Sequence, residues 1–147
     1  MPKMQVRQAS LEEALTVLAT ITEFDHVETL ESLQARLADQ PTLVLVAEVN
    51  DQLVGVKIGY AKSEAEFYSW IGGVSPSGRG HGVAQALLEA QETWVRAQGY
   101  QRLTVKSRNR FAAMLRLLLR NGYQILELEK KGQVADYRVY FEKLLIK

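Results

Sequence analysis

Three β-rich runs follow one another with no helix between them: TLVLVAEVN (42–50), QLVGVKIGYAK (52–62) and EFYSWIGGV (66–74). Asn50-Asp51 is a turn-forming pair, so the first two runs should close into an antiparallel hairpin that the third extends as a meander. The third run passes directly into GVSPSGRGHGVAQALLEAQ (73–91), which contains a strand end, glycines at 78, 80 and 82, and an amphipathic helix. This order excludes two familiar phosphate-binding arrangements. A P-loop needs Lys and then Ser or Thr after its last glycine, whereas Val83-Ala84 follow Gly82. A dinucleotide fingerprint belongs in a first βαβ unit, not after a meander.

Around this centre, MQVRQA (4–9) reads as a short strand. Ser10 with Glu13 is a capping-box pattern opening a helix with Leu11, Leu15, Leu18 and Ile21 on one face, ending near Phe24. A second helix over 28–39 carries Leu30, Leu33 and Leu37 before Pro41. Beyond the loop, Val83, Leu87, Ala90 and Trp94 mark a helix face that stops at Gly99, and 101–107 is a strand. From Phe111 to Leu119 nearly every residue is apolar except Arg116. That helix should be covered on most sides, with Arg110, Arg116 and Arg120 on a wet ridge, until Asn121-Gly122 ends it. Residues 123–129 and 135–147 are alternating strands around a KKGQ turn. The order β-α-α-β-β-β-α-β-α-β-β, without repeats or charge blocks, implies an α/β (α+β) chain with a single sheet flanked by helices.

At 147 residues, 47% apolar and 24% charged, with three prolines, the chain is sized for one domain over 1–147. Its net charge of +1 provides no global attraction to nucleic acid or an anionic membrane, so neither partner is expected and anion binding must be local. Zero cysteines exclude disulfides, thiolate metal sites and a Cys nucleophile, and two isolated histidines leave little for zinc. With no apolar signal core and no run near the ~20 residues of a membrane span, a cytoplasmic protein is expected. Trp70 and Trp94 are most simply core residues.

A strand feeding a glycine loop that opens into a helix aims several backbone N–H groups at one point, on top of the positive end of the helix dipole. Side chains at Gly80 or Gly82 would hold a phosphate away from that backbone, while Arg79 adds charge. A plain strand-to-helix bend would use the same glycines. The residues nevertheless resemble the GNAT family of acetyl-CoA-dependent N-acetyltransferases. The family signature, Arg or Gln, any two, Gly, any one, Gly or Ala, is met by Arg79, Gly80, His81, Gly82, Val83 and Ala84, with Val74-Ser75-Pro76 at the Val-x-Pro strand end. The resemblance spans essentially the whole chain and implies a GNAT-like domain: a mixed, mostly antiparallel seven-stranded sheet flanked by four helices.

By this resemblance, residues 79–84 supply amides to the pyrophosphate of acetyl-CoA, and Gly73 and Val74 supply peptide groups to its pantetheine arm in a gap where that strand splays from the next. Paired Gly72-Gly73 would then mark a close approach or a bend. Asn109 resembles the family's cofactor-facing asparagine, although its distance to the helix-ending glycine is longer by two residues than usual, and helix capping is an alternative.

Transfer of an acetyl group to an amine needs a deprotonated nucleophile, a stabilised oxyanion and a proton for the departing thiolate. The resemblance implies that positioning in the gap carries much of the rate and that a backbone N–H near Val74 polarises the carbonyl. The family's base position falls on Tyr68, a poor base unless its pKa falls, with Glu66 on the same face able to act through water or to be merely solvated. The position of the usual thiolate-protonating tyrosine falls on Leu118, which has no proton to give. Asp25 and His26 fall where the family lines its acceptor channel. Tyr137 and Tyr140 lie on opposite strand faces, so at most one can face the acceptor. The expected reaction is transfer to a primary amine of a small molecule or peptide, with a CoA-binding sensor lacking turnover as the alternative. A homodimer is open, because final strands in this family often pair between subunits.

Overall fold

In a computed structural model describing residues 3–24 and 27–145, Asn50 and Asp51 both adopt positive φ (51° and 68°). That turn joins β2 (Thr42–Val49) to β3 (Gln52–Ala61), and β4 (Glu66–Val74) completes the meander. β1 (Met4–Gln8) pairs with β2, while β5 (Arg102–Arg108), β6 (Gln124–Glu129) and β7 (Arg138–Leu144) extend the other side. The order is β1-β2-β3-β4-β5-β7-β6, and the β4–β5 pair is parallel while the others are antiparallel.

Two features of β4 open the sheet. It pairs with β5 only through residues 66–69 against 102–105, although both strands continue, so their later portions diverge. Ile58 faces Ile71 while Gly59 faces Ser69, which leaves Trp70 as a bulge. Backbone groups of residues 70–74 on the β5 side therefore face a gap rather than a neighbouring strand.

The sheet separates two cores. On one face α1 (Leu11–Leu18) and α2 (Leu30–Leu37) cover Val56, Ile58, Tyr60 and Tyr68. On the other, α3 (Val83–Ala97) and α4 (Ala112–Arg120) bury Leu87, Leu88, Leu117 and Leu118 against Phe67, Leu103 and Phe141. Trp94 packs edge-on to Phe67 at 5.5 Å and belongs to this core, as expected. Tyr123 Oη and Lys143 Nζ both donate to the buried Glu92 carboxylate (2.8 and 3.0 Å), tying α3 to the start of β6 and to β7.

Several boundaries differ from expectation for local reasons. The Ser10–Glu13 capping box forms, but α1 ends at Leu18 rather than near Phe24. Thr20 Oγ1 donates back to the Val17 carbonyl at 2.6 Å and competes with helical continuation, while Ile21 stays buried without being helical. α2 is likewise shorter than 28–39, opened by a reciprocal Thr29–Ser32 box. The last strand begins at Arg138 because 134–136 form a 3₁₀ turn. β6 is the sheet edge and is exposed along its whole length, so its alternation has no buried face. Among the described residues no helix is long and apolar enough to cross a membrane.

Candidate active site

The glycine loop begins with a 3₁₀ turn at Pro76–Gly78 and delivers Gly82 to the N-cap of α3. Gly80 and Gly82 adopt φ of 84° and 76°, a region that side chains disfavour, and a Cβ on either would meet nothing within 4 Å. The glycines thus serve the backbone turn and leave its outer face bare. No side chain caps α3, so its first N–H groups point outward at the positive end of a 15-residue helix. A side chain at either glycine would fill this space, which fits an approaching phosphate.

The loop forms one end of a cleft of about 940 Å³ that follows the β4–β5 divergence through the sheet. Arg79, Gly80, Gly82, Val83 and Ala84 line it, as do Gly73 and Val74; His81 is exposed and outside the lining. Arg79 donates through Nε to the Val74 carbonyl (3.3 Å) and through Nη2 to Glu23 Oε2. A backbone hydrogen bond and then Arg79 hold the Glu23 carboxyl below its ordinary pKa. Glu23 is therefore an anion already seated on the loop's own cation.

Gly72 and Gly73 both line the cleft, and their missing side chains make room within the chain itself. A Cβ on Gly73 would lie 2.6 Å from Ile21 Cδ1 and 3.1 Å from a Phe24 ring carbon, and a Cβ on Gly72 would lie 3.2 Å from Lys57 Nζ. The chain's own side chains make the close approach, and the bulge lies at Trp70. Trp70 is half-buried: it packs against the α1/α2 core and edge-on to Tyr60, as expected of a core residue, and it also lines the cleft and carries the Arg36 guanidinium 4.8 Å from its ring centroid.

α4 also departs from the reading of a helix covered on most sides. Leu117 and Leu118 are its buried residues, and Leu119 is 52% exposed. Its apolar excess serves as a cleft wall, with Ala112, Ala113, Met114 and Leu117 lining the cavity. Arg120 lines the cleft as well, so it is not confined to a wet ridge. Reciprocal amide hydrogen bonds between Gln85 and Asn121 (2.7 and 2.9 Å) hold α4 to the start of α3.

Asn109 neither caps α4 nor lines the cleft. The N-cap is Phe111, while the Asn109 carboxamide donates to the Val134 carbonyl at 3.2 Å. The two additional residues before the glycine carry it off the helix. Leu118 points into the core at 1% exposure, so the expected tyrosine position does not face the cleft at all.

Glu66 and Tyr68 line a second cavity of about 310 Å³ on the α1/α2 face. Burial alone would raise the Glu66 pKa, but hydrogen bonds from Arg102 Nη2 (2.9 Å) and Thr104 Oγ1 (2.7 Å) outweigh it and hold the carboxyl below its ordinary value. Glu66 is a committed ion-pair partner rather than a solvated or water-relaying base. Burial pushes the Tyr68 phenol up to about 12, opposite to what a base needs. Its ring instead joins an edge-on cluster with Tyr60, which also contacts Trp70. Lys62 Nζ lies 4.3 Å from the Tyr68 ring centroid, and Arg36 donates to Tyr60 Oη at 3.1 Å. Tyr140 is the member of its pair that reaches this cavity. Val105 and Lys106 line both cavities and connect them. Asp25 and His26 lie outside the described residues.

Sequence reasoning missed Lys57, Glu23 and the cleft position of Trp70. Lys57 is 6% exposed in mid-strand and lines the cleft. A lysine inside the otherwise apolar-and-glycine run LVGVKIGYA was the available signal for it.

Comparison with known proteins agrees with this architecture. Ard1 from Thermoplasma volcanium superposes with a TM-score of 0.84 at 18% identity, covering 98% of this chain and 99% of that one. The ribosomal-protein-S18-alanine N-acetyltransferase of Escherichia coli gives 0.84 at 14% identity, covering 97% and 94%. A GNAT family acetyltransferase from Elizabethkingia anophelis, solved with acetyl-CoA bound, gives 0.73 at 12% identity, covering 96% and 97%. At these identities the likeness is one of fold. A sequence comparison with curated proteins gives no match. The model of the acetyltransferase (GNAT) family matches residues 9–123, from the start of α1 to the tyrosine that follows α4, and on that match the chain belongs to the GNAT acetyltransferase family.

Proposed function

We propose that this chain moves an acetyl group from acetyl-CoA to a primary amine that carries an acidic group nearby. The observation that carries the reading is the bare glycine cradle at the N-terminus of α3, opening into the gap between β4 and β5. Residues 79–84 would hold the pyrophosphate through backbone amides and Arg79, and the free edge of β4 would hold the pantetheine arm. The cofactor supplies an acetyl group activated as a thioester. A backbone N–H near Val74 would polarise the carbonyl, and Trp70 with Phe24 would exclude water on the α1/α2 side.

The acceptor class follows from charge. Arg36, Lys62, Arg102 and Lys106 line the second cavity with Glu66 and Glu127; Arg102 is paired with Glu66 and Glu142, which leaves Arg36, Lys62 and Lys106 against Glu127. Desolvation first, and then the neighbouring Arg138 and Arg36, lower the Lys106 pKa against the opposing pull of Glu129, so cations crowd this exposed side chain. An acceptor with a carboxylate or phosphate near its amine relieves that crowding.

Acetyl-CoA at ~100 times its dissociation constant should add about 2.7 kcal/mol, a rise of roughly 8 °C in melting temperature for a chain of this size. A flat response at millimolar acetyl-CoA would sink the reading. Thiol release during an amine screen then separates the transferase from a CoA-binding sensor, and acidic amines should outpace their uncharged analogues. The sensor reading gains from the unsuitability of Tyr68 and Glu66 as bases.

Glu23 competes for Arg79. Glu23→Gln should therefore tighten acetyl-CoA binding a few-fold, with the gain fading as salt screens the original pair. Calorimetric titration at two salt concentrations checks this, and weaker binding would mean that the pair shapes the loop instead.

A further inference from the structure

Lys57 is the one buried lysine among the described core residues, with 6% of its surface exposed. Its position in β3 is opposite Gly72, on the sheet face that α3 and α4 cover. With no Cβ on Gly72, the side chain lies across β4 and brings Nζ to the cleft, 3.2 Å from where that Cβ would stand. Among the described residues it has no hydrogen-bond or ion-pair partner, and its ammonium opens onto the cleft. Glu92 of α3 is the charge that acts on it, at longer range and already bound to Tyr123 and Lys143. From β4 and β5 the buried hydroxyls of Ser69 and Ser107 line the same cavity, and from α4 the charged lining residue is Arg120. A lysine buried along its stem, whose ammonium meets only the cleft and no partner, is placed to pair with an anion that enters it.

The same cleft lacks a proton donor on its α4 wall. Phe111, Ala112, Ala113, Met114 and Leu117 have no ionisable proton, and a guanidinium such as Arg120 does not give one up. We propose that Lys57 pairs with the sulfur of the departing coenzyme A and protonates it, the task for which the penultimate helix has no residue. This rests on the acetyl-CoA reading above. As the acceptor nitrogen bonds to the acetyl carbon, the C–S bond breaks with its electron pair going to sulfur, and an Nζ proton of Lys57 passes to that sulfur. The neutral Lys57 amine then regains, through solvent, the proton that the acceptor nitrogen releases. Burial lowers the Lys57 pKa to about 8, despite Glu92, which suits a donor near neutral pH.

The test uses coenzyme A itself, whose free thiol reports the pairing without turnover. Thiolate absorbance of the bound coenzyme should titrate at least ~1 pH unit lower on the wild-type protein than on Lys57→Met. Acetyl-CoA, which has no ionisable sulfur, should raise the melting temperature of both proteins alike. In steady state Lys57→Met should lose on the order of 10²-fold in kcat with little change in the acetyl-CoA KM. Identical thiol titration in the two proteins, with acetyl-CoA binding intact, overturns the proposal. Absence of acetyl-CoA binding to either protein overturns the cofactor reading and this proposal with it. Lys57→Gln repeats the comparison should the Met variant fold poorly.

Discussion

Gly82→Val is expected to abolish the acetyl-CoA-dependent rise in melting temperature while the protein still unfolds cooperatively. Gly82 adopts φ of 76° at the N-cap of α3, and among the described residues nothing lies within 4 Å of where its Cβ would stand. A β-branched residue there costs about 1–3 kcal/mol in backbone strain, which a domain with ~5–15 kcal/mol of stability survives. The ligand effect should be much larger, because the added methyl groups stand where a phosphate would meet the amides of the helix terminus. Strain and obstruction are separable. Gly99 has φ of 92° just beyond the other end of α3, also with nothing within 4 Å. Gly99→Val carries comparable strain away from the cleft and should retain the full acetyl-CoA response. Thermal melts of the three proteins with and without ligand decide the matter; loss of response in both variants would assign the effect to strain and remove the argument for the cradle.

The second large effect is on stability against pH. Burial lowers the Lys57 pKa from 10.5 to about 8, so between those values the unfolded chain binds a proton that the folded chain has released. Wild-type stability should therefore gain from Lys57 as pH rises through that window. Below about pH 8 the folded protein bears the full cost of a buried ammonium, on the order of 3 kcal/mol. Lys57→Met removes that cost. It should melt roughly 10 °C above wild type at pH 7, with the difference shrinking to little by pH 10.5. Other titrating groups are common to both proteins and cancel in the comparison. A difference that stays constant from pH 7 to 10.5, or a variant less stable than wild type at pH 7, would mean that the ammonium is effectively solvated in the cleft.

Much of the architecture was legible because it is written in local patterns. Asn50-Asp51 announced the hairpin, Ser10 with Glu13 announced the start of α1, and the alternation of short apolar runs with helical spacings supplied the element order. Each depends on residues within a few positions of one another, where backbone preference and side-chain reach are decided. The loop from Arg79 to Ala84 was legible for the same reason, since a left-handed glycine and an uncapped helix start are local properties.

The chemistry around that loop was less accessible. Glu66 looked like a strand-end carboxylate until the parallel β4–β5 pairing brought Arg102 and Thr104 within 2.9 and 2.7 Å of it. Tyr68 looked able to act on an acceptor until the packing of α1 and α2 buried its ring and raised its pKa. Counting residues placed Leu118 in a functional position, but rotation of α4 about its axis decides which leucine meets the cleft, and it is Leu117.

By itself, the sequence determined the elements, their order, the glycine cradle and the family signature, because these are set by contiguous residues. Only the tertiary structure decided that Gly72 makes room for Lys57, that Gly73 makes room for Ile21 and Phe24, and that Glu23 sits on Arg79. Those pairings join residues 15 to 56 positions apart, and their consequences follow from burial and charge in three dimensions rather than from anything a short window of sequence can contain.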